Sequence, residues 1–297
     1  MEKIKTLFGT DKDNNRIFYW LMIPSFLILF LITVFPLLGA LFSSLLDWNL
    51  AKPDERSFIG LQNFIKLFME NDFWYSVFLT LYQVGGTVIG QLILGMLIAL
   101  LLARQFKGVK ILRSLYLIPM MTTPVVAGLI WKMMLNTDRG IVNYFLSFIG
   151  VQDLDWLGDG RLAMPAIILS DLWLSTPFVT VILLAGIMSI STDYIDAAKM
   201  DGASGFRIFW HITLPLLKPM ILLALLFRVM DAIKRFDTIY VMTGGGPGRS
   251  TETLDLFAYF QAFDYLHVGY GSAIAIVMLI IMFISSMFIL RSVQRNS

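Results

Sequence analysis

The sequence predicts an all-α integral membrane protein with six transmembrane helices. Of its 297 residues, 57% are hydrophobic and 15% are charged, and the mean hydropathy is +0.74. A soluble domain carries about 25% charged residues, so this composition favours a lipid solvent. Because a helix needs about 20 mostly apolar residues to cross the hydrocarbon core, six stretches qualify as spans. They lie at about residues 18–43, 75–102, 111–134, 162–189, 215–243 and 270–291.

Basic residues are concentrated in the tail 1–17, in the loop 103–113 and at the C-terminus. These are Lys3, Lys5, Lys12, Arg16, Arg104, Lys107, Lys110, Arg113, Arg291 and Arg295. The loops 44–74 and 135–161 are rich in acids, and the loop 244–269 holds one basic residue. By the positive-inside rule we expect both ends of the domain 18–291 to face the cytoplasm. The polar tail and the long apolar run after it predict a retained helix rather than a cleaved signal peptide.

The loop 190–214, between spans four and five, is a cytoplasmic segment of mixed composition. Ser191 and its neighbours supply N-caps for a helix over 194–201. Gly202 can end that helix because glycine adopts positive φ without strain, and Ser204 can cap a second helix over 204–213. The sequence therefore predicts a bent pair of short helices below the bilayer.

An apolar stripe on the second helix of this loop predicts a covered surface. Its members stand at i, i+3, i+4 and i+7 and are Phe206, Phe209, Trp210 and Thr213. An amphipathic element lying on lipid headgroups is one interpretation. The acids Asp193, Asp196 and Asp201 outnumber the two basic residues of the loop, and an anionic leaflet repels acids. A protein partner therefore fits better than lipid.

The spacing of this loop resembles the EAA loop of bacterial ATP-binding-cassette importer permeases. Asp196-Ala197-Ala198 is followed by three residues, Gly202, nine residues, Ile212, one residue and Leu214-Pro215. Asp196 stands in place of the usual Glu. The resemblance implies the type I importer permease fold (MetI-like) and a loop that docks into a cleft of a cytoplasmic ATPase. The coupling residues it implies are Asp196, Ala197, Ala198, Gly202, Phe206, Phe209, Trp210, Leu214 and Pro215.

Further motifs are similar to the carbohydrate-uptake, maltose-type branch of these permeases. They include Arg113-Ser114-Leu115, Asp171-Leu172-Trp173 with Pro177-Phe178, Phe236-Asp237 and Gly245-Gly246-Pro247-Gly248. The resemblance implies a second homologous permease subunit, two copies of an ATPase and an extracytoplasmic solute-binding protein that delivers a sugar. It implies no cofactor in this chain, since ATP and magnesium belong to the ATPase, and no nucleic acid partner.

Charged residues inside spans four and five are candidates for the solute pathway. A charge at mid-bilayer costs at least about 2.5–3.5 kcal/mol, so each should face a protein-lined or wet interior. The candidates are Asp171, Trp173, Ser175, Phe178, Arg228, Asp231, Lys234 and Arg235. Carboxylates and guanidinium groups suit sugar hydroxyls, and aromatic faces suit a pyranose. Two alternatives stay open: the charges of span five pair only with each other, and Trp173 packs against lipid or at an interface.

Glycines and prolines within the spans predict close contacts and kinks. Gly86 and Gly90, four residues apart in span two, favour close helix packing. Prolines such as Pro119, Pro124 and Pro177 predict kinked helices.

Other chemistry has little support in the sequence. The chain has no cysteine and two histidines, so we expect no disulfide, thiol nucleophile or metal centre. The segment 244–251, GGGPGRST, lacks the lysine of a phosphate-binding loop, and we expect no ATP binding and no catalytic residue. An ion-coupled transporter or channel is an alternative, but it has no need of an ATPase-docking loop. An intramembrane enzyme is another, and it would need Asp171 and Asp231 within hydrogen-bond reach.

The charge of the solute stays open at this point. Three cationic residues in span five favour an acidic sugar slightly, but Asp171, Asp231 and Asp237 offset them. We expect a mono- or oligosaccharide, with a polyol or an acidic sugar as further options.

Overall fold

The computed structural model describes residues 22–52, 54–151 and 154–294. The predicted tail 1–17, the start of the first predicted span and Arg295 lie outside these residues. The described part is mostly helical. Its elements are α1 Met22–Ser44, β1 Leu46–Asp47, β2 Ser57–Phe58, α2 Gln62–Met69, α3 Asn71–Leu102, α4 Val109–Tyr116, α5 Pro124–Met134, α6 Ile141–Ser147, α7 Ala163–Ser189, α8 Thr192–Met200, α9 Gly205–Ala232, α10 Phe236–Met242, α11 Leu254–Tyr259 and α12 Val268–Gln294.

Five helices of the described part are long and apolar enough to cross a membrane, namely α1, α3, α7, α9 and α12. A sixth candidate is a broken pair, Val109–Met121 and Pro124–Met134, bent by 96°. The kink predicted near Pro119 and Pro124 is confirmed, because the predicted span 111–134 is a bent pair of helices rather than one straight helix. A residue that precedes proline is pushed out of the helical region, and Thr123, before Pro124, has φ −69° and ψ 147°.

The predicted fifth span, 215–243, is displaced at both ends. Its helix begins at Gly205 and ends at Ala232, and residues Phe236–Met242 form the separate helix α10. Pro215 does not interrupt the helix because a π-helical turn over Phe209–Thr213 precedes it, with the Leu214 N–H bonded to Phe209 O. The predicted short second helix of the loop is therefore the first part of α9.

The first of two compact units comprises the described residues up to Leu67 together with Gln261–Ile276. In this unit β1 and β2 pair antiparallel, with Leu46 opposite Phe58. The Asn63 side-chain amide donates to the carbonyls of Ser44 and Leu46, at 2.9 Å each. These bonds satisfy backbone acceptors at the point where α1 ends.

The second unit comprises Phe68–Phe260 and the residues from Val277 onward, and it contains α3 and α7 packed closely together. A Cβ atom added at Gly86 would lie 2.8 Å from Ile168, and one added at Gly90 would lie 2.7 Å from Leu172. The predicted close contact at these two glycines is confirmed. It brings a polar face of α3 against α7, where the candidate site begins.

Candidate functional site

Asp171, on α7, is a fully buried carboxylate that accepts contacts from two arginines. Arg235 Nη2 lies 3.0 Å from its Oδ1 atom, and Arg228 Nη2 lies 3.4 Å from its Oδ2 atom. Ser175 Oγ donates to Oδ1 at 3.0 Å. An ionised carboxylate is tolerated away from water only when charges and hydrogen bonds neutralise it, and these partners provide both.

Asp231, on α9, is the second carboxylate of the cluster and is half exposed. Arg228 Nη1 lies 2.6 Å and Arg235 Nη2 lies 2.5 Å from the same Oδ2 atom of Asp231. Its side chain is 52% exposed, whereas the two arginine side chains are 5% and 7% exposed. The two guanidinium groups therefore lie between a buried carboxylate and an accessible one. We call Asp171, Arg228, Asp231 and Arg235 the charge cluster.

The end of α9 explains how Arg235 reaches this position. The helix ends at Ala232, and a turn closes it through the Lys234 N–H bonded to Asp231 O at 3.2 Å. Arg235 then has φ −86° and ψ 37°, outside the helical region. This turn directs the Arg235 side chain back towards Asp231 and across to Asp171.

Gln91, on α3, is a member of the site that the sequence reasoning missed. Its Oε1 atom accepts from Arg228 Nε at 2.7 Å, and its Nε2 atom donates to Asp171 O at 3.1 Å. Gln91 is fully buried on the α3 face that also carries Gln83 and Thr87. A buried polar side chain within an apolar span was the signal that could have identified it.

An open cavity of about 390 Å³ lies beside the charge cluster. Five of the predicted pathway residues line it, together with Met120, Thr122, Pro124, Leu174 and Phe227; the five are Ser175, Phe178, Arg228, Asp231 and Arg235. The Phe178 and Phe227 rings meet edge to face, with centroids 6.0 Å apart. The cavity therefore has a charged wall and an aromatic wall.

Three predicted pathway residues do not line this cavity. Asp171 lies behind the wall and holds the two arginines. Trp173 packs edge-on against Trp131, with centroids 6.3 Å apart. Lys234 is exposed and makes no ion pair among the described residues, which differs from the predicted option of pairing with Asp231.

The arrangement gives little support to an intramembrane enzyme. Asp171 and Asp231 are both engaged by the guanidinium groups of Arg228 and Arg235. General acid or base catalysis needs a carboxyl group that is free to exchange a proton.

The loop between α7 and α9 has the capping geometry that the sequence predicts. Ser191 accepts from the Asp193 N–H and caps α8, and Ser204 accepts from the Arg207 N–H and caps α9. Gly202 has φ +77°. Its N–H bonds to Lys199 O, and the next N–H, of Ala203, bonds to Ala198 O. This is a Schellman motif, which requires the left-handed conformation at Gly202.

The predicted coupling residues form a largely exposed surface. Phe206 is 75% exposed and Trp210 is 50% exposed, and the two rings pack against each other at 6.0 Å. Asp196, Ala197, Gly202 and Pro215 are exposed, whereas Ala198, Phe209 and Leu214 are partly buried. Asp196 pairs with Lys199 on its own helix at 2.9 Å, and an exposed pair of this kind contributes less than about 1 kcal/mol. Asp196 is therefore available to another partner.

Arg249 anchors the glycine-rich loop 244–251 through ion pairs with two acidic residues. Arg249 Nη1 lies 2.5 Å from Asp72 Oδ2, and its Nε lies 2.8 Å from Glu252 Oε2. The hydrogen bond with Glu252 is the main cause that raises the pKa of Arg249. Gly244, Gly245 and Gly248 all have positive φ, so this fold of the loop favours glycine at each.

Asp255, after this loop, is a carboxyl group with one unsatisfied oxygen. Its Oδ1 atom accepts from Thr253 Oγ1 at 2.5 Å and from the Leu256 N–H at 2.9 Å. Its Oδ2 atom is buried without a hydrogen-bond partner in the described structure. Burial raises the pKa of Asp255, and the Thr253 hydrogen bond opposes that shift in part.

The sequence of the chain matches a known family over most of its length. Residues 91–296 match the model of the inner membrane component of binding-protein-dependent transport systems. The chain belongs to this family. The match covers α7, the capped loop and α9, which carry the charge cluster and the predicted coupling residues of this permease.

Relatives of this permease are named as sugar transport permeases. The trehalose/maltose transport system permease protein MalF of Thermococcus litoralis is 39% identical over 261 residues, which is 87% of each chain. The sulfoquinovosyl glycerol transport system permease protein SmoG of Agrobacterium fabrum is 35% identical over 268 residues, covering 90% of this permease and 87% of the relative. The predicted resemblance to the carbohydrate-uptake branch is confirmed.

A solved structure shares the fold of this permease. It is a bacterial alginate ABC transporter in complex with an alginate pentasaccharide-bound periplasmic protein. One chain of that complex aligns with a TM-score of 0.82 and 21% identity, over 95% of this permease and 96% of that chain. The predicted all-α importer permease fold is confirmed. The family does not favour an ion-coupled transporter or a channel.

Proposed function

We propose that this permease forms half of the pathway by which an ATP-binding-cassette importer carries a sugar across the cytoplasmic membrane. The observation that carries the proposal is the cavity beside the charge cluster. Its charged wall offers donors and acceptors to hydroxyl groups, and its aromatic wall suits the apolar face of a pyranose. The names of the relatives support a sugar as the solute.

The other half of the pathway is supplied by a second, homologous permease subunit. The cavity is open rather than enclosed, so it needs another surface to close it around a solute. An extracytoplasmic solute-binding protein delivers the sugar, in keeping with the family description. ATP hydrolysis resides in two copies of a separate ATPase, and this chain binds neither ATP nor magnesium and catalyses no reaction.

Coupling to that ATPase uses helix α8 and the first turns of α9. The exposed rings of Phe206 and Trp210 pack against each other, and they form an apolar surface that protein contact would cover. Met200, on the preceding helix, is 89% exposed. Because α9 runs without a break from Gly205 to Ala232, a displacement of the loop can be transmitted along the helix to Arg228 and Asp231. ATP-driven closure of the ATPase therefore shifts the population between the states of the cavity. Both termini and this loop face the cytoplasm.

Uptake by cells that express the whole importer tests the sugar pathway. Phe178→Ala removes one aromatic wall of the cavity without touching the charge cluster. We expect uptake of the transported sugar to fall at least tenfold while the complex assembles and retains basal ATPase activity. Uptake equal to wild type would contradict the pathway.

Photo-cross-linking from the loop tests the coupling role. A photoreactive amino acid at Trp210 is expected to capture the ATPase, whereas the same probe at Tyr144, another exposed aromatic position, is not. Capture of lipid alone from Trp210 would contradict the docking and favour a headgroup-bound helix.

A further inference from the structure

Two guanidinium groups converge on one oxygen of the half-exposed Asp231 side chain at the wall of the cavity. Arg228 Nη1 and Arg235 Nη2 both contact Oδ2 of Asp231, at 2.6 Å and 2.5 Å. A pair of converging guanidinium groups is the arrangement that binds a carboxylate or a sulfonate. In this permease that position is already occupied by a carboxylate of the chain itself.

The charge cluster contains two cations and two anions. Arg228 and Arg235 are balanced by Asp171 and Asp231. An anionic solute would either displace Asp231 and leave its carboxylate unpaired, or add a third negative charge beside two positive ones. The first outcome gives up two ion pairs that Asp231 makes without any solute, and the second adds repulsion between the solute and the carboxylate of Asp231.

An uncharged hydroxyl group meets no such barrier. Both ion pairs of Asp231 use Oδ2, so neither guanidinium engages Oδ1, and a sugar hydroxyl can donate to that atom. The facing rings of Phe178 and Phe227, the latter 48% exposed, supply apolar contact on the other side. The site thus offers hydrogen bonds and an apolar face without a net charge.

We infer that Asp231 determines the specificity of this site: it occupies the anion-binding edge of Arg228 and Arg235, so that the cavity takes an uncharged, hydroxyl-rich sugar in preference to an anionic one. This inference rests on the proposed function, because it assigns a substrate class to the same cavity. The inference proposes an answer about the charge of the solute, which the numbers of acidic and basic residues in span five left open.

Direct binding to the assembled importer tests the inference. The complex in lipid nanodiscs, without its solute-binding protein, is titrated with trehalose, maltose and methyl α-glucoside. Each neutral sugar is compared with a counterpart in which a carboxylate replaces the C6 hydroxymethyl group. Binding is measured by saturation-transfer NMR. We expect wild type to bind a neutral probe at least tenfold more tightly than its carboxylate counterpart. Asp231→Asn should shift that ratio at least tenfold towards the carboxylate.

Asp237→Asn is the matched control. Asp237 is an exposed carboxylate that does not line the cavity, and its replacement should leave the ratio unchanged. Equal or tighter binding of the carboxylate probes by wild type would overturn the inference, as would an unchanged ratio in Asp231→Asn. If the Asp231→Asn complex does not assemble, the relative affinity of wild type for the neutral and carboxylate probes tests the inference. Asp231→Glu, which keeps the carboxylate, should still bind the neutral probes more tightly.

A second variant separates this inference from the proposed function. Phe227→Ala should weaken binding of every probe. If no probe binds wild type, or if Phe227→Ala changes nothing, the sugar pathway itself is contradicted. If Phe227→Ala weakens binding but the carboxylate probes are preferred, only the inference about charge fails.

Discussion

Arg235 Nη2 lies 3.0 Å from Oδ1 of Asp171, a carboxylate on another helix with no exposed surface. This contact joins the end of α9 to the middle of α7. Under the proposed function, Asp171 therefore positions Arg228 and Arg235 at the cavity wall instead of contacting the solute itself.

We predict that Asp171→Ala strongly destabilises the permease. Removing the carboxylate leaves two guanidinium groups buried without this partner, and breaking a buried ion pair costs about 3–5 kcal/mol. Thermal unfolding of the purified permease in detergent, followed by intrinsic fluorescence, measures the effect. Asp237→Ala, which removes an exposed carboxylate, should leave the Tm close to that of wild type. An unchanged Tm for Asp171→Ala would show that the cluster does not stabilise the bundle.

We predict that Gln91→Leu lowers both stability and uptake. It removes the acceptor of Arg228 Nε and a donor to Asp171 O, and hydrogen bonds to charged groups contribute about 1.5–3 kcal/mol. Gln83→Leu is the matched control, because Gln83 is equally buried on α3 but its side chain donates to the neutral Thr87 hydroxyl. Equal losses in the two variants would mean that Gln91 has no particular part in positioning Arg228.

We predict that Gly202→Ala weakens coupling and that Gly205→Ala does not. A Cβ atom at either glycine meets no other atom within 4 Å, but only Gly202 has positive φ, +77°. A left-handed conformation costs an alanine about 1–2 kcal/mol. Co-purification of the ATPase and sugar-stimulated ATP hydrolysis measure the effect, which should be larger still for Gly202→Pro. Loss of coupling in Gly205→Ala but not in Gly202→Ala would contradict the role of the Schellman turn.

We predict that Asp255 makes stability depend on pH. Burial raises its pKa in the folded state above its ordinary value near 3.8, so the folded state binds the proton more tightly than the unfolded state does. This contribution to stability is fully present at pH values below the ordinary pKa of the unfolded state. It is lost as the pH rises through the raised pKa of the folded state. The Tm of wild type relative to Asp255→Asn should therefore rise as the pH is lowered towards the ordinary pKa near 3.8. A difference that does not vary with pH would contradict this.

The sequence predicts the capped loop well because its determinants are local. Ser191, Gly202 and Ser204 act on backbone groups within a few residues, and the structure shows each in the expected conformation. Close helix packing at Gly86 was predictable for a similar reason, although its partner Ile168 was not. Small residues four positions apart on an apolar helix favour the close approach of a second helix.

Helix ends and long-range partners were not predictable in the same way. The end of α9 at Ala232 follows from a turn that the composition of 215–243 does not reveal. The link from Gln91 to Arg228 depends on the packing of α3 beside α9, and no spacing rule gives it. Trp173 shares a helix with Phe178 but meets Trp131 instead of the cavity, because a helix presents different residues to different neighbours.

Site-specific thiol labelling tests most directly whether the cavity is the solute pathway. The chain has no cysteine, so Phe227→Cys introduces a single thiol on the cavity wall, and Trp173→Cys introduces one on the same unit outside the cavity. Both variants are treated with a methanethiosulfonate reagent in the assembled importer, and mass spectrometry of this chain measures the modified fraction. We predict that the transported sugar protects Phe227→Cys and leaves Trp173→Cys unprotected. Protection of Trp173→Cys with none at Phe227→Cys would place the solute elsewhere and contradict the proposed pathway.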